Sequence, residues 1–290
     1  MIPSGTLYVV ATPIGNLRDI SLRALDILAA VDVVAAEDTR TTAYLLTHHA
    51  LAKKMMASHQ HNERATAKKV VNLLAHGKSV ALVTDAGTPG ISDPGSILVN
   101  LVRDQGYKVV PIPGPNAAVC ALSAAGITAP HFLFYGFLPG SAGPRRRELE
   151  ELKTQPYTLI FYEAPHRILE CVADLAEVLG IPRQITIARE LTKLFETIHI
   201  CALGDALAWL QADANRQKGE FVLLLSGAEA GNEGEISDRA QLTLKLLLQD
   251  LPLKQAVRLT AEISGESRNK LYALALVLKG EANHKPKSGS

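Results

Sequence analysis

The 290-residue chain is poor in several things that would define a function at once. No apolar run reaches 18 residues, so no transmembrane helix is expected. Nor does a charged segment followed by an apolar one open the chain, and the reading is of a cytosolic protein. Cysteine is scarce: Cys120, Cys171 and Cys201 are odd in number, far apart and set in apolar surroundings. They read as small core hydrophobes, not as a disulfide framework. The phosphate-cradling patterns G-x-G-x-x-G and G-x-x-x-x-G-K-[ST] are both missing, which argues against the familiar nucleotide sites. Net charge is also nearly absent, at +1, so the whole molecule carries no electrostatic signal for nucleic acid or membrane.

What is present is ordinary globular composition, with 47% hydrophobic and 20% charged residues, enough for a sizeable core. Charge is unevenly placed. Residues 236–290 hold nine Lys/Arg against five Asp/Glu, while the preceding residues hold 21 against 24. A basic tail on a mildly acidic body suggests a local polyanion contact.

Short β-rich runs alternate with helical spacing through the first part of the chain. Strands are expected at 6–11, 31–37, 79–85 and 107–116, and helices from Leu22, around 64–76 and around 95–105. This pattern predicts an α/β domain with a mostly parallel sheet over 1–118. A second α/β domain, with a mixed sheet, is expected over 119–228 from strands at 130–139, 157–165, 184–192, 196–203 and 219–227. Its helices are expected at 143–153, 166–179 and 204–216. AEAGNEGE (228–235) reads as a linker. A small helical domain over 236–280 follows, with helices at 237–249, 253–263 and 267–279.

Three strand exits share one chemistry: ATPIGN (11–16), TDAGTPGIS (84–92) and PIPGPNAA (111–118). In a parallel sheet such loops emerge at one carboxyl edge, where open α/β folds bind ligands; recurrent strand-ending turns are the plainer explanation. Proline removes donors that a phosphate would use, so rigid loops of this kind suit a flat heterocycle and a thioether chain better.

LYVVATPIGNLRDIS (7–21), AAEDTR (35–40), LVTDAGTPGISDPG (82–95), PIPGPNAA (111–118), FYEAPHR (161–167), ARELTKLFE (188–196) and GEFVLLLSG (219–227) together resemble the tetrapyrrole-methylase-fold methyltransferases, and within them the ribosomal RNA branch. The resemblance implies an S-adenosyl-L-methionine-dependent enzyme, a homodimer, with the cofactor between its two α/β domains. It also implies 2′-O-methylation of a cytidine in the decoding region of small-subunit ribosomal RNA. Here Asp85 precedes Gly87-Thr88-Pro89 in place of the family's Gly-Asp-Pro loop, and TPIGN lacks the Gly-x-Gly-Pro-Gly of precorrin enzymes. The second departure favours RNA over a tetrapyrrole. The cofactor residues implied are Pro13, Ile14, Gly15, Asp85, Ala86, Gly87, Thr88, Pro89, Ile91, Ser92, Asn116, Ala117, Tyr162 and Val222.

Methyl transfer to a hydroxyl needs positioning and a proton acceptor. Glu163, Asp38 and Glu190 are the candidates, all at strand ends; helix capping accounts equally for Asp38 and Glu163. His59 and His61 in SHQHNE lack the distant partners of a metal site, so no metal is expected. Arg145, Arg146 and Arg147 after a Gly/Ser/Pro loop, together with Arg167, are candidate phosphate contacts; a solvated face is the alternative. QAVRLTAEISGESRNKLYALAL (255–276) has helix–turn–helix character, with Ala256, Val257, Thr260 and Ile263 on one face. Arg268 and Lys270 stand where such motifs meet nucleic acid, unless the hairpin serves packing or dimerisation. A precorrin- or diphthamide-type enzyme and a non-catalytic RNA-binding assembly factor are the competing functions.

Overall fold

A computed structural model describes residues 3–228, 236 and 238–282. The expected linker at 228–235 falls almost wholly outside them. The chain divides into two compact units, Met1–Gly227 and Ala228–Ser290. Both sheets therefore lie in one unit.

The first sheet is built from β1 (Thr6–Val10), α1 (Leu22–Ala30), β2 (Val33–Ala36), α2 (Thr39–His48), β3 (Lys54–Ala57), α3 (Glu63–Ala75), β4 (Val80–Val83), α4 (Ser96–Asp104) and β5 (Lys108–Ile112). Its strands run in the order β3-β2-β4-β1-β5, all parallel. β2 and β4 are buried along their whole length because helices cover both faces, which is why VVAA and VALV show no alternation. Ser21 starts α1 by accepting the Ala24 N–H at 3.1 Å, and Asp38 starts α2 by accepting the Arg40 N–H at 2.8 Å.

α5 (Ala117–Ala124) leaves β5 and packs on the second sheet through Ala118, Ala121 and Ala125 against Ile160, Ala188, Val222 and Leu224. That sheet comprises β6 (Phe132–Phe137), α6 (Ala142–Leu152), β7 (Thr158–Glu163), α7 (Ile168–Leu179), β8 (Gln184–Arg189), β9 (Thr197–Ala202), α8 (Leu203–Gln211) and β10 (Phe221–Leu225). The order is β6-β7-β10-β8-β9, with only the β6–β7 pair parallel. Alternation sorts its side chains: Phe161, Ile187 and Leu223 face α6, α7 and α8, while Ile160, Ala188 and Val222 face α5.

The second unit packs α9 (Asp238–Asp250), α10 (Leu253–Ser264) and α11 (Arg268–Ala282) around Ala240, Leu244, Ala256, Val257, Leu271 and Ala275. α10 stops at Gly265, whose φ of +75° is the left-handed conformation that glycine adopts without strain. Ile263, expected on the apolar face, is instead 62% exposed.

Three further expectations need correcting. The strand at 107–116 ends at Ile112, where Pro113 begins the loop, and the helix at 204–216 ends at Gln211 before a short 3-10 turn. The arginine trio is not one phosphate clamp. Arg145 is buried, its Nε 2.6 Å from Asp174 Oδ2 and its Nη1 donating to the Gly140 carbonyl at 3.1 Å. Arg146 pairs with Asp174 and Glu177 at 2.7 and 2.8 Å, and Arg147 alone stays exposed without such a pair among the described residues. Arg145 thus fastens α6 to α7. Arg145→Ala leaves the buried Asp174 half-compensated and is expected to cost about 3 kcal/mol, whereas Arg147→Ala should stay within about 0.5 kcal/mol. Urea denaturation of both variants checks the contrast.

Candidate active site

The strand order brings β4, β1 and β5 side by side, so the three Gly/Pro loops leave the same sheet edge as neighbours. They are also bonded to one another. Thr12 and Gly87 exchange both backbone hydrogen bonds, at 2.9 and 3.1 Å, and Thr12 Oγ1 donates to the Thr84 carbonyl at 3.0 Å. Thr88 Oγ1 donates to the Pro115 carbonyl at 3.0 Å, which ties the second loop to the third. Gly87 has φ +79°, a conformation that a β-branched residue resists. The far end of the second loop is held by Glu63, a buried carboxylate accepting the Gly95 and Leu98 N–H groups at 2.9 and 3.0 Å. Glu63 therefore caps α4 from another helix.

These loops form one wall of a cavity of about 310 Å³, and the second sheet forms the other. Of the expected cofactor residues, Ile14, Ala86, Gly87, Thr88, Ile91, Ser92, Asn116, Ala117, Tyr162 and Val222 line it; Pro13, Gly15, Asp85 and Pro89 do not. Gly15 serves another purpose. A Cβ there would come within 2.8 Å of the Leu191 carbonyl, so its absence lets the first loop lie against residues 191–193. Asp85 links strand ends: its Oδ1 accepts the Asp38 N–H at 3.1 Å, and its own N–H reaches Glu37 at 3.3 Å. Tyr162 ties β7 to α5 at the cavity, its hydroxyl accepting the Ala118 N–H at 3.1 Å.

The three expected proton acceptors fare differently. Glu163 lines the cavity but is engaged: Oε1 accepts the Ala164 N–H at 2.7 Å, and Arg167 Nε lies 3.0 Å away. Arg167 also donates to the Leu138 carbonyl at 2.6 Å, so it braces this wall in place of the phosphate contact expected of it. Glu190 stands outside the lining and accepts from Lys193 Nζ at 2.8 Å and the Glu220 N–H at 3.0 Å. Asp38 is held down to about 2 by its hydrogen bonds from Arg40, and it caps α2. Sequence reasoning missed Asp93, Phe137, Ala164, Pro165, Leu191, Glu220 and Phe221, all in the lining. Asp93 lay in view within ISDPG. Burial, reinforced by Glu37 and Asp85, pushes its carboxyl up to about 6.

The lining includes the carboxylates of Asp93, Glu163 and Glu220 and no lysine or arginine among the described residues. A phosphate would find no cation there. A flat apolar ring against Ile14, Ala117, Tyr162 and Val222, joined to a positively charged group, would fit. No group of three His, Cys, Asp or Glu side chains converges on a metal position among the described residues. His59 and His61 face each other with ring centroids 6.0 Å apart and gather no third partner of that kind. No helix of the described residues is long and apolar enough to cross a membrane.

A parallel sheet with ligand-facing loops beside a mixed sheet is the architecture of a known methyltransferase class, and residues 6–207 match the model for Tetrapyrrole (Corrin/Porphyrin) Methylases. Residues 234–279 match that for the RsmI C-terminal HTH domain. The chain belongs to the tetrapyrrole methylase family. It is 50% identical over 276 residues to Ribosomal RNA small subunit methyltransferase I of Escherichia coli O157:H7, covering 95% of this chain and 96% of the relative. The protein of the same name from Vibrio cholerae is 49% identical over 282 residues, covering 97% and 98%. Among solved structures, the methyltransferase CobJ superimposes with a TM-score of 0.59 at 20% identity, covering 78% of this chain and 95% of that one. A uroporphyrin-III C-methyltransferase of Thermus thermophilus complexed with S-adenyl homocysteine gives 0.55 at 16%, covering 76% and 97%. At such identities these two share the fold.

The raised Asp93 sets a pH dependence. An unfolded aspartate titrates near 4, so between about pH 4 and 6 the folded chain binds more protons and loses stability as pH rises. Asp93→Asn removes that loss. The variant should be more stable than wild type above pH 6.5, by about 1 kcal/mol after allowance for partial exposure, and the gap should close near pH 4. Denaturant titrations at both pH values check the sign.

Proposed function

We propose that this chain uses S-adenosyl-L-methionine to methylate small-subunit ribosomal RNA, at the ribose 2′-oxygen of a cytidine in the decoding region. The observation that carries the reading is likeness at about half identity, over nearly the whole chain, to relatives named for that RNA. The cavity supports the cofactor part of the reading independently, its lining being apolar with carboxylates and without lysine or arginine among the described residues. When bound, the cofactor supplies an electrophilic methyl group on a sulfonium centre. Ile14, Ala117, Tyr162 and Val222 would hold its apolar part, while Gly87 and Thr88 bring backbone close to it. Carboxylates in the lining favour its positive charge. Tyr162, fixed by the Ala118 N–H, orients the wall facing the loops.

In this reading the substrate is the assembled subunit, the protein is cytosolic, and it works as a homodimer. Leu194 and Phe195, 89% and 67% exposed, support the last point, because large apolar side chains left in water favour a partner surface. α10 and α11 supply the RNA contact, with Arg268 at the first turn of α11 in an ion pair of 3.4 Å with Glu262 that phosphate could replace. The precorrin- or diphthamide-type alternative draws support from the fold alone.

Mapping ribose methylation in ribosomal RNA from a strain lacking the gene tests the reading. One decoding-region cytidine should lose its methyl group and regain it with the wild-type gene. Gly87→Val, strained by its φ, should bind S-adenosylhomocysteine on the order of tenfold more weakly. Complementation by that variant at wild-type level, with unchanged calorimetric affinity, would contradict the placement.

Removing residues 236–290 separates RNA binding from cofactor binding. The segment's net surplus of positive charge predicts that the truncated protein keeps normal S-adenosylhomocysteine affinity but binds the subunit weakly. Its salt dependence should be shallower, by roughly one unit of slope for each phosphate the segment neutralises. Unchanged subunit binding with loss of dimerisation would make the helices an assembly element.

A further inference from the structure

Every carboxylate expected from sequence to take a proton is already committed elsewhere. Glu163 is ion-paired with Arg167 and bonded to the Ala164 N–H. Glu190 is held by Lys193 and the Glu220 N–H. Asp38 is clamped by Arg40 at 2.6 Å. Of the other acids on the cavity, Glu220 pairs with Lys193 at 2.9 Å and is mostly exposed. Asp93 differs from them all. It lines the cavity, is half-buried, and has neither hydrogen bond nor ion pair among the described residues.

Its backbone is nonetheless firmly placed. Gly90 and Gly95, with φ of +80° and +140°, bracket the turn that carries it, and Pro94 follows it directly. Glu63 fixes the far side through the Gly95 N–H. An unpaired carboxylate on a rigid loop, half-buried at a cavity wall, is poised to accept a proton from whatever enters.

We propose that Asp93 is a catalytic residue, whose carboxylate accepts the proton of the substrate hydroxyl. The assignment rests on the reading of the chain as a ribose methyltransferase. In the step, the hydroxyl oxygen takes the methyl group as its O–H bond breaks. The proton passes to an Asp93 oxygen, and the electrons of the broken C–S bond stay on sulfur. Burial does most to set its basicity, and Glu37 at the end of β2 and Asp85 after β4 add to it by disfavouring the charged form. Tyr162 faces it from β7, its hydroxyl pushed up by burial and in smaller part by Asp93. The Glu163–Arg167 and Glu220–Lys193 pairs complete the charged groups on the same cavity. A base that ionises just below neutral pH is deprotonated at pH 7 yet strong enough to help.

Single-turnover methylation of purified small subunits between pH 5 and 9 tests this, with Asp93→Asn, Asp93→Glu, Glu163→Gln and Glu190→Gln beside wild type. Two further readouts do not need turnover: calorimetric affinity for S-adenosylhomocysteine, and ¹³C NMR titration of carboxyl groups in the ligand-free protein. The wild-type rate should rise with pH and level off above about 6. Asp93→Asn should lose that limb and on the order of 100-fold in rate, with S-adenosylhomocysteine affinity within about threefold; Asp93→Glu should restore part of both. The limb should persist in Glu163→Gln and Glu190→Gln, and one carboxyl signal missing from Asp93→Asn should titrate near pH 6. A near-normal rate and unchanged limb in Asp93→Asn, or an Asp93 signal titrating near 4, overturns the assignment alone. A wild-type enzyme that leaves the subunit ribose unmethylated overturns the functional reading and this step with it.

Discussion

Two hydrogen bonds between Thr12 and Gly87 join the loops after β1 and β4, and the cavity depends on that junction. It exists only because β1 lies between β4 and β5, which places three Gly/Pro loops in adjacent positions along one edge. Gly87 can take part because its left-handed backbone turns the chain back without a side chain in the way. Thr88 then carries the connection on to Pro115, and Glu63 anchors the other end at α4. A ligand site built this way is rigid before anything binds, which lowers the ordering cost of binding.

From that edge the chemistry follows by exclusion. Proline occupies places where a phosphate cradle would offer N–H groups, the Thr12 N–H is spent on the Gly87 carbonyl, and the basic side chains nearby are turned to structural work. Arg167 pairs with Glu163, Lys193 with Glu190 and Glu220, and Arg145 with Asp174. The lining is left apolar and acidic. Such a surface suits a cationic methyl donor.

Much of this was legible in the residues. Buried parallel strands such as VALV announce themselves by composition, and Gly/Pro exits mark the ligand edge whatever the ligand is. Ten lining residues are among those the family resemblance implies. Edge elements were harder. β3 reads KMMA, with no alternation to betray it. Ion-pair partners were harder still, since Arg145 meets Asp174 29 positions away and Glu63 meets Gly95 32 away. An arginine in a basic run looks solvated until its partner is known. Asp93 was hidden for the opposite reason: its distinction is having no hydrogen-bond or ion-pair partner among the described residues, which no local pattern can express.

The central claim is that the cavity at this loop edge holds a cationic, phosphate-free methyl donor. Calorimetric titration of the wild-type protein with S-adenosylmethionine, S-adenosylhomocysteine and ADP tests it most directly. The first two should bind at one site per chain, and ADP should give no saturable heat, for want of any lysine or arginine in the lining among the described residues. Saturable ADP binding, with S-adenosylmethionine failing to compete or to bind, would contradict it.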